Sequence, residues 1–173
     1  MHRTVYIGVG SNILPREVHM NRGLALLEEL LVERRAVTAM THSPWYETEA
    51  WGMPSGTQAF LNMVLAVDTD LALTDLLHVL LEVEQTMGRI RTHGSNGYQD
   101  RTLDMDILCT SLDEQHDSEL LAVPHPRMAS RRFVLQPLMD LAPSLALGGH
   151  SIEQALNDCP ELPAVEPFIP QEA

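Results

Sequence analysis

Arg101-Thr102-Leu103-Asp104-Met105-Asp106-Ile107-Leu108 is the stretch on which the fold and the chemistry of this chain turn. Its acids alternate with Leu, Met and Ile, the period of two that marks a strand with one face in a core. Residues two apart on a strand point the same way, so Asp104 and Asp106 leave one face side by side, roughly 7 Å apart at the backbone. Like charges at that spacing repel, and burying either one unpaired costs several kcal/mol. A cation beside them removes that penalty. Oxygen ligands on a rigid strand suit Mg²⁺, which takes one or two carboxylates together with substrate phosphates. A half-exposed strand with two solvated acids has the same pattern, so the segment alone leaves both readings open.

Working outward, the 173 residues, 45% hydrophobic and 20% charged, predict a single soluble domain over residues 1–173 with a real core. The net charge of −13 argues against a nucleic-acid or membrane-surface binder, since both need a basic face. Six of the eleven Lys and Arg residues, Arg89, Arg91, Arg101, Arg127, Arg131 and Arg132, fall in the middle and latter part of the chain. That distribution fits a local site for an anionic ligand or scattered surface arginines. Cys109 and Cys159 have the spacing of neither a zinc site nor a disulfide framework. The N-terminus enters a strand-like Val5-Tyr6-Ile7-Gly8-Val9 without a signal-peptide core, and no apolar run reaches membrane-spanning length. A reduced, cytoplasmic setting is expected.

The pattern alternates between strands and helices. Val5–Val9 reads as a buried strand stopped by Gly10-Ser11-Asn12. Arg16 to Arg34 carries Leu24, Leu27, Leu30 and Leu31 at helical spacing. Val37 to Thr48 looks extended, and Glu49 to Gln58, with Gly52, Pro54 and Gly56, is a long loop. Phe60–Asp68 is the next strand. Leu73 to Met87 is the clearest helix, with Gly88 as its cap. A polar, Gly-rich loop from Thr92 to Asp100 leads into the Asp strand. The order β-α-β-β-α-β predicts an α+β fold of the split, ferredoxin-like kind, an antiparallel sheet covered by helices on one face. Beyond Cys109 the chain reads as irregular, with short helices at Arg131–Leu141 and Ser151–Leu156, the latter capped by Ser151. Residues 160–173 form a Pro-rich, acidic tail, expected as an extended arm or partly ordered end.

Four features gather at the sheet edge and its loops: Gly10-Ser11-Asn12; Thr48, Phe60 and Asn62 around the second loop; Glu84, Arg89, Arg91 and Arg101 around the third; and His125 with Arg131. Acids for a metal beside arginines for phosphate point to phosphoryl-type transfer from a nucleotide. No Walker A sequence or kinase Gly-rich loop is present. A flat heteroaromatic substrate would want aromatic faces, and Phe60, Tyr98 and Phe133 are the candidates. Phe60 and Phe133 could equally be core aromatics. Asn62, among apolar strand neighbours, must find partners. Glu84 sits near the C-terminal end of its helix, against the dipole, so its reason lies outside helix stability unless it caps or pairs with Arg89.

Taken in order, Gly-Ser-Asn, Phe-Leu-Asn, the outline Glu84 to Arg91, Arg-Thr-Leu-Asp-x-Asp-Ile, Val123-Pro124-His125 and Arg131-x-Phe133 resemble the 6-hydroxymethyl-7,8-dihydropterin pyrophosphokinases of folate biosynthesis, from about Val5 to Leu141. The resemblance implies pyrophosphoryl transfer from ATP to the pterin hydroxymethyl oxygen, giving AMP, with two Mg²⁺ ions held by Asp104 and Asp106. It implies catalytic roles for Arg89, Arg91 and Arg101, and nucleotide contacts from those three with Glu84, Tyr98, Ile107, His125 and Arg131. It assigns the pterin to Thr48, Glu49, Trp51, Phe60, Asn62, Asp104 and Phe133. ATP and a hydroxymethyl-dihydropterin are the expected partners of a monomer. The chain departs from the pattern at Tyr98-Gln99-Asp100, where the family commonly has Trp-Gly-Pro. A metal-dependent phosphohydrolase or nucleotidyl transferase, and a non-catalytic ligand-binding module of the same fold, are the competing readings.

Overall fold

The computed structural model describes residues 2–50, 56–88 and 101–170. Its first half follows the expected order: β1 (Arg3–Ser11), α1 (Arg16–Glu33), β2 (Ala39–His42), β3 (Trp45–Thr48), β4 (Phe60–Thr69), α2 (Leu73–Thr86) and β5 (Asp104–Thr110). Ser43-Pro44 splits the extended stretch into β2 and β3, because Pro has no N–H for the ladder. Later come the short pairs β6 (His116–Asp117) with β7 (Ala122–Val123) and β8 (Ala146–Leu147) with β9 (His150–Ser151). Helices α3 (Arg132–Leu141) and α4 (Ile152–Asp158) and the strand β10 (Val165–Phe168) complete the chain.

The main sheet runs β10-β3-β4-β1-β5, with β2 also on β4, and every neighbouring pair is antiparallel. The first strand therefore lies between the third and fourth of the β-α-β-β-α-β unit, as the split arrangement requires. Met20, Leu27 and Leu31 of α1 and Leu76, Leu80 and Val83 of α2 pack on Val5, Ile7, Leu61, Met63, Met105 and Ile107. Gly88, at φ +87°, takes the left-handed position just past α2. In α1, a Cβ on Gly23 would come within 2.3 Å of Leu103 Cδ2, so only glycine lets the helix seat on the residue preceding the acid pair.

The expectation of helices on one face is corrected by α3 and α4, which cover the other. Val134, Leu135 and Leu138 of α3 and Ile152 of α4 enclose Tyr6, Val64, Leu108 and Cys109 there. The physical reason is in β4, whose central residues are buried on both faces and cannot be left half in water. Ser151 does cap α4, in a reciprocal capping box with Gln154. Part of the Pro-rich tail is a strand: β10 pairs with β3, and Phe168 stacks on Trp45 at 6.5 Å between ring centroids.

Candidate active site

Register determines what shares the α3 face. Residues directly opposite one another in a sheet point the same way. Tyr46, Asn62, Gly10 and Asp104 stand in one row across β3, β4, β1 and β5. In the next row Val64, Gly8 and Asp106 do the same. A bulge at Leu108 shifts the rest of β5 against β1 without disturbing these two rows. Gly8 and Gly10 thus put a strip of glycine main chain between Asn62 on one side and the two acids on the other, with the Leu108 side chain 3.4 Å from where a Cβ on Gly8 would lie. A Cβ at position 10 would lie 3.0 Å from Asn62 Oδ1, so the strip is also closely fitted.

The three side chains of the first row are each held. Asn62, buried, donates through Nδ2 to Thr48 Oγ1 at 3.2 Å. Tyr46 donates through its hydroxyl to Asp140 of α3, and burial followed by that bond pushes its pKa up to about 12. Arg101 pairs with Asp104, so the arginine expected to meet phosphate here neutralises one of the acids. Burial raises the pKa of Asp106, and the charge of Asp104 adds to it; His125, Arg131 and Arg101 pull the other way. His125 is fixed by its backbone N–H to Leu108 O at 2.6 Å. Its Nδ1 accepts the Arg127 N–H at 3.1 Å, which leaves Nε2 to carry the proton of the neutral ring. Burial lowers its pKa, with Arg131 and Arg127 lowering it further against the pull of Asp106. The Arg131 guanidinium lies over the Phe133 ring at 5.7 Å from the centroid.

Asp104, Asp106, Asn62, His125, Arg131 and Phe133 are accordingly brought to one face, with Thr48 and Phe60 at the end of the β3–β4 ladder beside Asn62. Ile107 and Glu84 are not on it. Ile107 points into the core on the α1–α2 side. Glu84 is 1% exposed and accepts the Met105 N–H at 2.8 Å, tying α2 to β5 between the two acids. That bond gives Glu84 a role outside helix stability. Glu49 is exposed just past β3. Arg89, Arg91, Tyr98 and Trp51 lie outside the described residues.

Among the described residues no group of three or more His, Cys, Asp or Glu side chains could hold a metal ion. Two carboxylates remain, crowded and partly withdrawn from water, with Arg101 paired to Asp104 and the charges of His125, Arg131 and Arg101 opposing the burial of Asp106. That donor set fits Mg²⁺, which accepts two protein oxygens and leaves its other positions to water and phosphate. It does not fit a structural zinc site.

Residues 6–143 match the family 7,8-dihydro-6-hydroxymethylpterin-pyrophosphokinase (HPPK). The chain belongs to this family. A Pseudomonas aeruginosa protein named 2-amino-4-hydroxy-6-hydroxymethyldihydropteridine pyrophosphokinase is 38% identical over 161 residues, covering 92% of this chain and 94% of that one. Relatives of the same name from Porphyromonas gingivalis and Bacillus subtilis are each 38% identical over 141 residues, 82% of this chain and 92% and 79% of theirs. Among solved structures, an HPPK-DHPS in complex with substrates superposes with a TM-score of 0.65 at 14% identity, over 91% of this chain and 43% of that one. At that identity the superposition establishes the fold.

Of the residues in these two rows, sequence reasoning named Gly10 only within Gly10-Ser11-Asn12 and passed over Gly8 and Tyr46 as part of this face. Two glycines two apart in an otherwise apolar strand were the available signal, because they strip one face of side chains. Tyr46 carried no such mark, since its partner Asp140 is distant in the chain.

Proposed function

We propose that the α3 face of the sheet is where this chain transfers a pyrophosphoryl group from ATP to the hydroxymethyl group of 6-hydroxymethyl-7,8-dihydropterin, a step of folate biosynthesis. The pterin oxygen attacks the β-phosphorus, the bond to the oxygen bridging the α and β phosphates breaks, the hydroxyl proton is lost, and AMP leaves. One observation carries the reading: Asp104 and Asn62 flank Gly10 in a single row, so a group for the phosphate end and a group for a heterocycle edge face one strip of main chain. Gly10 itself puts no side chain between them.

In this reading Asn62, oriented by Thr48, presents its amide to the pyrimidine edge, where it both donates and accepts. Phe133 and Phe60 supply the ring faces. Arg131 and the Nε2–H of His125 meet nucleotide oxygens, and Arg101 exchanges Asp104 for phosphate when the triphosphate arrives. Arg89, Arg91 and Tyr98 are read as nucleotide ligands, and Thr48, Glu49 and Trp51 as the pterin rim. Glu84 and Ile107 serve nucleotide binding indirectly, by fixing β5. Asp104 and Asp106 would hold Mg²⁺, which when bound supplies charge neutralisation at the triphosphate.

No helix among the described residues is long and apolar enough to cross a membrane. We read the enzyme as a cytoplasmic monomer, since one chain presents both substrate sides on one face. The test is incubation with ATP, Mg²⁺ and hydroxymethyl-dihydropterin followed by chromatography. AMP and pterin diphosphate are expected. Release of inorganic phosphate or pyrophosphate, or no turnover, overturns the reading.

A further inference from the structure

On the opposite face of the sheet, directly beneath the Thr48–Phe60 rung, lies Arg16 at the start of α1. Its Nη1 donates to the carbonyl of Ala59 at 2.7 Å, and its Nη2 meets Glu47 Oε2 at 2.5 Å. Ala59 is the residue before β4 and Glu47 the next to last residue of β3. One guanidinium therefore ties the two strand ends together across their last ladder pair, from Glu47 one residue inside it to Ala59 one residue beyond it. The side chain is only 14% exposed, so these bonds are partly shielded from water. The Phe168 ring of β10 covers it, 5.8 Å from ring centroid to guanidinium carbon, and stacks on Trp45 behind. Glu166 of β10 stands directly opposite Glu47. Two acids so placed repel, and the cation on Glu47 offsets that repulsion.

We propose that Arg16 is a positioning residue for the pterin side of the site, and that the C-terminal arm completes its hold through Phe168. This rests on the pterin reading of Thr48, Phe60 and Asn62. Fraying of the last rung would move Thr48 and Phe60 together and release the Asn62 amide from Thr48 Oγ1. Arg16 prevents that fraying from the side no substrate reaches. A fork of two donors is needed to reach both a carbonyl and a carboxylate, which lysine cannot reproduce.

Arg16→Ala, Arg16→Lys and Phe168→Ala, compared with the unaltered chain, test the proposal by calorimetric titration with the pterin and with Mg²⁺–ATP, and by amide hydrogen exchange. Arg16→Ala should weaken pterin binding about tenfold, as misplacement of a positioned group does, with ATP affinity within about twofold of the unaltered chain. Arg16→Lys should recover part of the loss and Phe168→Ala should show a smaller loss of the same kind. Exchange should quicken at residues 60–62 in Arg16→Ala and stay slow at Ile7 and Ile107. Equal losses for both substrates, or unchanged pterin affinity, would overturn the proposal; should Arg16→Ala not fold, Arg16→Lys is held to the same criteria. If the unaltered chain binds no pterin, the function reading falls by itself. Exchange at 60–62 then decides the anchoring alone: quickening upholds the pin and no change refutes it.

Discussion

Asn12 and Arg101 hold each other in both directions. The Arg101 N–H donates to Asn12 Oδ1 at 2.7 Å, and the Asn12 N–H donates to the Arg101 carbonyl at 3.2 Å. The end of β1 thereby fixes where the chain enters the acid strand. Asn12 is 1% exposed, so its loss leaves a polar group in a dry place. Asn12→Ala should cost about 1–3 kcal/mol of stability in urea unfolding. Asn12→Asp keeps the acceptor for Arg101 and should lose less. An Asn12→Ala chain as stable as the original would show that the contact does no structural work.

The two acids should respond differently to neutralisation. Asp104→Asn and Asp106→Asn should each slow a single turnover by several kcal/mol of barrier, on the order of a hundredfold or more, through lost charge compensation at the phosphates. Their stabilities should diverge. Asp106 is disfavoured as an anion by burial and by Asp104, so Asp106→Asn should unfold at the same temperature or higher. Asp104→Asn gives up the pair with Arg101 and should unfold somewhat lower. Calorimetry together with rapid quench separates the two, and turnover at the original rate in either variant would remove the metal role.

Gly10→Ala examines the glycine strip directly. The new methyl would lie 3.0 Å from Asn62 Oδ1 and 3.5 Å from the Leu61 carbonyl, so the amide must yield by a few tenths of an ångström. Alanine suits a strand better than glycine, and the fold should hold. Pterin affinity should fall about tenfold while ATP affinity changes little. Equal weakening of both ligands would mean that the strip supports the sheet and not the ring.

Tyr46 gives a prediction in alkali. Its folded pKa of about 12 exceeds the ordinary 10.0. Between those values the unfolded chain releases a proton that the folded chain keeps, so stability falls as pH rises from 10 toward 12. Tyr46→Phe lacks this loss. Near neutrality the variant should be less stable by about 1–2 kcal/mol, for want of the bond to Asp140. Above pH 10 that advantage of the original should shrink by about 1–3 kcal/mol. Tyr6 also titrates high, so only the comparison of the two chains isolates Tyr46. A constant gap from pH 8 to 12 would contradict the assignment.

Much of this was legible in the residues, because local chemistry wrote it. Asp104-Met105-Asp106 alternates as strands do, and its acids emerge on one face with Met105 and Ile107 on the other. The strand order followed from element order alone. What the sequence concealed lies in contacts distant along the chain. The helices of the second layer were legible, but their place on the other face was announced only by β4, an apolar run too continuous for a sheet with one wet face. Glu84 was visibly misplaced for its helix, yet one of its partners, the Met105 N–H, is a backbone group that no residue letter shows. The Arg101–Asp104 pair was near enough to read and was masked by the expectation that the arginine is reserved for phosphate.

The arm that closes the sheet also ends it. An unpaired strand edge is a template on which another chain can add, and β3 without β10 would offer one, with Trp45 and Tyr46 along it. The strand that covers this edge contains Pro167, which has no N–H to offer a newcomer, and Glu166, whose charge repels a similar one. A protease that removed residues 160–170 would therefore do more than shorten the molecule. It would turn a terminated sheet into one able to grow, and the first sign would be aggregation at concentrations where the intact chain stays dispersed.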